Sequence, residues 1–138
     1  MSKTIYVASG LSERHATRDD IEALTAAGWL ITYNWTTEPL WSVNRPLTSA
    51  ERRTLALKDR QAVYEARVFW YRIPTEKSEG AADEHGYVSA LRDCGQHNRV
   101  IVVSGDIDSL GRIFPHVSDP QFLTHAAALQ WLCKWSGK

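Results

Sequence analysis

Two carboxylates stand where helices should be burying apolar side chains. Glu84 lies in the run Ser78-Glu79-Gly80-Ala81-Ala82-Asp83-Glu84-His85-Gly86-Tyr87, which opens a helix just after a strand. Ala81 is one turn before it, and Val88 and Leu91 are one and two turns after, so helical spacing sets Glu84 on the apolar stripe. Asp59 repeats the anomaly in a helix running from Ser49 to Ala66, whose stripe reads Leu55, Asp59, Ala62, Val63, Ala66. A carboxylate on a buried stripe is costly unless something pairs with it or uses it. A buried Asp can cap a neighbouring loop or pair with Arg. Two carboxylates converging on one crevice can also break a glycosidic bond, one attacking the anomeric carbon while the other serves the leaving group. Tyr6, near the carboxyl end of the first strand, is either a core aromatic or a phenol that orients such a carboxylate.

Other residues add weaker cues. Ser78-Glu79-Gly80 stands at a helix N-terminus, where free backbone N–H groups attract an anion and Ser78 adds a hydroxyl; a plain helix cap has the same sequence. Trp35 and Trp41 either stack on a heterocyclic base or pack under a long loop. Five histidines, His15, His85, His97, His116 and His125, show no pair at metal-ligand spacing, so no metal is expected. His85 is rotated about 100° from Glu84 around the helix and is expected at the surface or an interface. Ser104-Gly105 follows a strand without a G-x-S-x-G pattern. Gly10 belongs to no G-x-G-x-x-G, so no dinucleotide fingerprint and no cofactor are expected.

The elements that must position these residues alternate. Ile5-Tyr6-Val7-Ala8 reads as a buried strand ending at Ser9-Gly10. Thr17-Arg18-Asp19-Asp20 has capping-box form and predicts a helix through Ile21, Leu24 and Ala27, stopped at Gly28. Trp29 to Tyr33 reads as a second strand and Asn34 to Leu47 as a loop. Thr48-Ser49-Ala50-Glu51 caps the helix that carries Asp59. Val68 to Ile73 is a third strand, closed by Pro74, and the Glu84 helix runs from about Gly80 to Asp93. Arg99 to Ser104 is a strongly buried strand. A short strand near Phe122 and a helix from Thr124, with Ala128, Trp131, Leu132 and Trp135 as its apolar face, complete the chain. Strands apolar on both faces and alternating with helices predict a parallel sheet covered on both sides, as one domain over residues 1–138. In such sheets the ligand crevice lies at the carboxyl ends of the strands.

Composition excludes several classes. There are 16 basic and 16 acidic residues and no run of like charge longer than a few residues, whereas a nucleic-acid polymer binder normally carries a basic face. Cys94 and Cys133 lie far apart without C-x-x-C spacing and read as two buried thiols in a reducing cytoplasm. No apolar stretch approaches the roughly 18 residues that span a membrane, and the N-terminus has no apolar leader core. The expectation is a cytoplasmic protein with no membrane partner.

With these residues in place, the chain resembles the nucleoside 2-deoxyribosyltransferases and the related nucleoside 5'-monophosphate N-glycosidases, from about Lys3 to Ser104. The resemblance rests on Ile5-Tyr6-Val7, on Lys58-Asp59-Arg60, and on the string from Ser78 to Tyr87, which is similar to the family's S-x-G-x-x-x-E-L-G-Y-A. It implies a flavodoxin-like, Rossmann-like α/β domain with a parallel sheet of about five strands and helices on both faces. It also implies roles: Glu84 as the nucleophile at the sugar C1', Asp59 as the acid serving the base, and Tyr6 as the group that positions Glu84. Ser78 matches a phosphate-binding serine where the transferases carry an aspartate, and a neutral side chain there admits a phosphate dianion. Gly80, Ser9 and Gly10 join it as implied substrate contacts, with Trp35 as a candidate for the base. The chain departs from the family in its first loop, Ser9-Gly10-Leu11-Ser12-Glu13 instead of Gly-Ser-Ile-Arg-Gly, and in having His85 where leucine is usual. The implied function is hydrolysis of the N-glycosidic bond of a (deoxy)nucleoside 5'-monophosphate, in a homodimer. Base exchange by a transferase, a nucleotide-binding module without turnover, and a glycohydrolase acting on NAD or a related nucleotide are the alternatives.

Overall fold

The computed structural model describes residues 3–96 and 98–136; His97, counted above among the histidines, lies outside them. Five strands, β1 (Thr4–Ala8), β2 (Leu30–Ile31), β3 (Val68–Arg72), β4 (Val100–Ser104) and β5 (Gln121–Phe122), form one sheet in the order β2-β1-β3-β4-β5. Every pairing is parallel. Four helices, α1 (Arg14–Ala26), α2 (Ser49–Glu65), α3 (Glu79–Asp93) and α4 (His125–Cys133), fill the crossovers and the end of the chain. This is the flavodoxin-like α/β arrangement, and its strand order reverses between β1 and β3, where such sheets open a crevice.

The period-2 alternation of the strands separates two cores. Ile5, Val7, Val68, Trp70 and Val102 face α1 and α4 and meet Ile21, Leu24, Ala128 and Leu132. Tyr6, Ala8, Phe69, Tyr71, Ile101 and Val103 face the other way and meet Ala62 and Val63 of α2 and Ala81 and Val88 of α3. All five residues of β3 are buried, as a central parallel strand requires.

Three helix starts follow the sequence pattern. Thr48 Oγ1 accepts from the Glu51 N–H at 3.1 Å and Glu51 Oε1 accepts from the Thr48 N–H at 2.9 Å, closing a capping box at α2 that contributes about 1 kcal/mol. Ser78 Oγ caps α3 through the Ala81 N–H at 3.3 Å, and Thr124 Oγ1 caps α4 through the Ala127 N–H at 3.1 Å.

Three expectations need correction. The two cysteines are free but not buried: Cys94 is exposed and Cys133 half-buried. α1 begins at Arg14, not after Thr17, because the chain leaves β1 through a 3-10 turn at Leu11–Glu13 that runs straight into the helix. Thr17 is buried inside α1, donating to the Glu13 carbonyl at 2.9 Å and accepting from Arg72 Nη1 at 2.8 Å. β2 is limited to two residues because it is an edge strand that pairs only Leu30 with Thr4 and Ile31 with Ile5. Trp29 turns into the core instead, stacking on Trp135 with ring centres 5.1 Å apart and donating its indole N–H to the Leu132 carbonyl at 3.0 Å. No helix of the described residues is long and apolar enough to cross a membrane.

Candidate active site

β1, α2 and α3 bring Tyr6, Asp59 and Glu84 together. Tyr6 comes up from the centre of β1, 1% exposed, with its ring stacked on Phe69 at 5.9 Å. Its hydroxyl donates to Glu84 Oε2 at 2.5 Å, a contact spanning 78 residues of sequence. Asp59 reaches the same place from α2, and its Oδ1 is buried with no hydrogen-bond partner among the described residues. A buried carboxylate oxygen without a donor awaits a proton or a ligand.

The environment holds protons on this pair. Burial pushes the Glu84 carboxyl up to about 8; the charge of Asp59 adds to that, and the Tyr6 hydrogen bond opposes it. Glu84 keeps a partly exposed edge, but its carboxyl sits deep enough for desolvation to dominate. Burial likewise pushes Asp59 up to about 6, with Tyr6 opposing and the Glu38 charge adding. The phenol of Tyr6 has one proton, and the 2.5 Å contact commits it to Glu84. Near neutrality the two carboxyls therefore share one proton: Glu84 holds it the more tightly, and the Tyr6 hydrogen bond eases its release from Glu84. A nucleophile beside an acid is the state that N-glycoside cleavage needs.

Sequence reasoning passed over the rim of this centre. Tyr33 donates its hydroxyl to Glu38 Oε2, and Lys58 Nζ lies 3.4 Å from the same oxygen. The Tyr33 bond holds Glu38 below the usual carboxylate range. Tyr33 and Glu38 sit in or beside an irregular loop, where no periodicity marks them, and Lys58 lies on α2.

The remaining predicted residues divide. Ser78 and Gly10 meet: a Cβ built on Gly10 would lie 3.6 Å from Ser78 Cβ, an ordinary contact, and 3.0 Å from Pro74 Cβ, close enough to push Pro74 by a few tenths of an ångström. Gly80 opens onto empty space. Ser9 is buried at the end of β1, its hydroxyl 3.4 Å from Arg72 Nη1. Trp35 is part of the α2–α3 core, 6% exposed, and its indole N–H donates to the Val7 carbonyl at 2.7 Å. Of the two roles open to it, the structure gives it the packing one. Trp41 donates to the Trp35 carbonyl at 3.0 Å and secures the same loop.

His85 is a correction. It is buried, 3% exposed, on the stripe Ala81-His85-Val88, with its ring 5.2 Å from that of Tyr71 and Nε2 2.8 Å from Ser118 Oγ. Burial lowers its pKa to about 4, so the imidazole is neutral at ordinary pH. The stripe is wide enough to hold His85 at its centre and Glu84 at its edge, which is why 100° of rotation does not bring His85 to the surface. A buried leucine position can accept this imidazole because Ser118 supplies the hydrogen bond.

A cavity of about 880 Å³ lies on the other flank of α3, lined by His85, Gly86 and Ser89 below and by Leu110, Ile113 and Phe114 above. Ser78 reaches its wall; Tyr6, Asp59 and Glu84 do not. Its walls bring no buried carboxylate pair together, so the Tyr6–Glu84–Asp59 cluster, and not this hollow, defines the candidate centre. Among the described residues no three His, Cys, Asp or Glu side chains gather as a metal ion would require.

No protein-family model and no curated protein matches the chain. Among solved structures, the CMP N-glycosidase BcmB of Clostridium botulinum is similar to it over 96% of this chain and 100% of its own, with a TM-score of 0.58 and 19% identity. At that identity the likeness is one of fold: the chain has the α/β architecture on which a nucleotide N-glycosidase is built.

Proposed function

We propose that the protein hydrolyses the N-glycosidic bond of a nucleoside or deoxynucleoside 5'-monophosphate. The observation that carries this reading is the 2.5 Å hydrogen bond from Tyr6 to Glu84 beside a buried, unpartnered carboxylate oxygen of Asp59. The CMP N-glycosidase fold of the structural neighbour supports it, as does the family resemblance of the residues involved.

Tyr6 occupies Oε2 of Glu84 and leaves Oε1 to attack C1'. As the new C–O bond forms, the C1'–N bond breaks, its electron pair stays with the base, and the base takes the proton from Asp59. The sugar is then an ester of Glu84. Asp59, now a carboxylate, removes a proton from water, whose oxygen attacks C1' and releases Glu84. Ser78 and the first N–H groups of α3 receive the 5'-phosphate. We also propose a homodimer. The exposed apolar side chains Leu110, Ile113, Phe114 and Val117 support it. Trp131 of α4 and Trp135 just beyond its end do not, because Trp135 stacks on Trp29 and Trp131 packs against Phe122.

The test is base release, followed by chromatography, from ribo- and deoxynucleosides with and without a 5'-phosphate, with Glu84→Ala as control. Release confined to monophosphates and lost in the variant supports the hydrolase. Release only when a second base is present makes the protein a transferase. Binding without release from any substrate makes it a nucleotide-binding module.

A further inference from the structure

We propose that Glu13 and Arg112 are positioning residues that hold the turn between β3 and α3, residues 74–78, in the shape that presents Ser78 and the first N–H groups of α3 to the 5' substituent of the ligand. The inference rests on the reading of this site as a nucleotide site.

The turn is gripped from two sides by residues distant in sequence. Glu13 Oε2 accepts from the Thr75 N–H at 2.6 Å and from the Thr75 hydroxyl at 3.3 Å. Arg112 Nη2 donates to the Pro74 carbonyl at 3.1 Å and to the Glu76 carbonyl at 3.3 Å. The carboxylate thus takes a backbone donor of the turn, and the guanidinium takes two of its acceptors. These are charge-assisted bonds, stronger than neutral ones. Gly10 closes a third side by its approach to Pro74 and Ser78.

Both clamps are themselves held. Arg112 Nη1 donates to the Ser109 carbonyl at 3.1 Å and also to the Ser109 hydroxyl. Glu13 Oε1 faces Arg72 Nη1 at 3.8 Å and His125 Nε2 at 4.0 Å. Trp70 Nε1 donates to Ser104 Oγ at 2.9 Å, and that oxygen is 2.6 Å from His125 Nδ1; with the Ser104 hydroxyl donating to Nδ1, the ring hydrogen is on Nε2 and points at Glu13. Arg72 is anchored in turn by Asp20 Oδ2 at 2.8 Å.

Neither Glu13 nor Arg112 is hydrogen-bonded or ion-paired to Tyr6, Asp59 or Glu84, so neither has a direct part in bond cleavage. Their effect falls on where Ser78 sits. In the proposed site the anion meets the Ser78 hydroxyl and the backbone donors at the start of α3. Such donors are effective only when fixed in advance.

The experiment measures affinity by calorimetry, and KM and kcat by base release, for cytidine, deoxycytidine and their 5'-monophosphates. The proteins are the wild type, Glu13→Gln, Arg112→Ala and Arg112→Lys, each checked by thermal melting. Glu13→Gln and Arg112→Ala should weaken binding of the monophosphates about tenfold or more. Binding of the unphosphorylated nucleosides, and kcat at saturating monophosphate, should stay within about twofold. Arg112→Lys, which can still donate to the carbonyls, should recover part of the loss. Equal weakening of phosphorylated and unphosphorylated ligands, or a loss in kcat alone, overturns the proposal. So does a wild type with no preference for the monophosphate. A wild type that prefers monophosphates, with variants that erase the preference, but with no base release at all, upholds the positioning role and overturns the hydrolase reading.

Discussion

Replacing Glu84 should make the protein more stable, by an amount that depends on pH. Glu84 is raised from an ordinary 4.5 to about 8, so the folded chain keeps a proton that the unfolded chain releases. For a carboxyl raised in this way, the favourable contribution is complete below pH 4.5 and fades as pH rises through 8. Seen from the alkaline side, ionised Glu84 opposes folding by an amount that grows from pH 4.5 and levels off above 8. At about 1.4 kcal/mol per pKa unit the ceiling is roughly 5 kcal/mol. Solvent at the exposed edge of Glu84 screens part of this, and a Gln amide is a weaker acceptor for Tyr6, costing about 1 kcal/mol. Glu84→Gln should therefore gain roughly 2 kcal/mol at pH 9, a rise in Tm on the order of 5 °C for a chain of this size. At pH 4.5 it should gain nothing. Melting curves by circular dichroism from pH 4.5 to 9 provide the assay, with Glu79→Gln as an exposed control on the same helix. If Glu84→Gln destabilises the protein equally across the range, Glu84 is not held in a desolvated site beside Asp59, and the argument for a shared proton fails.

Three further outcomes follow from the same geometry. The rate of base release should be bell-shaped in pH, highest between about 6 and 8, because the active form carries one proton on the pair; Asp59→Asn should abolish the alkaline limb, and a flat profile for the wild type would count against the pair. Tyr6→Phe should keep the fold, since the ring stack on Phe69 survives, yet lower kcat about ten- to a hundredfold; single-turnover kinetics and a melting curve separate the two effects. Trp35→Phe should cost about 1–2 kcal/mol in urea unfolding through loss of the bond to the Val7 carbonyl, with KM unchanged; a raised KM would restore Trp35 as a contact for the base.

Where periodicity and capping govern, the sequence was readable. The two misplaced carboxylates, the capping box at Thr48 and the continuous apolar run of β3 each follow from a rule that acts within a few residues. The errors arose where a distant partner decides. Thr17 looks like a cap until Arg72 claims its hydroxyl, and His85 looks exposed until Ser118, 33 residues on, supplies a bond that lets it be buried. Glu38, Tyr33 and Arg112 left no trace in the pattern, because they lie in or beside irregular backbone and their roles exist only after folding. Glu13 was read as part of a departure from the family's first loop. Its carboxylate is occupied by Thr75, a relationship that no local spacing encodes.

The stacking of Trp29 on Trp135 bears on the order in which the chain acquires its shape. The Trp29 indole finds its acceptor on Leu132, 103 residues away, whereas α2, β3 and α3 follow one another along the chain. Closing long loops is entropically slow and local pairs form readily. The α2–β3–α3 part of the face that carries Asp59 and Glu84 is thus built from neighbours, while the face under α1 and α4 must wait for the last helix. Substitutions in α4 would then act mainly on the lifetime of the folded molecule, leaving the chemistry on the opposite face to change independently of it.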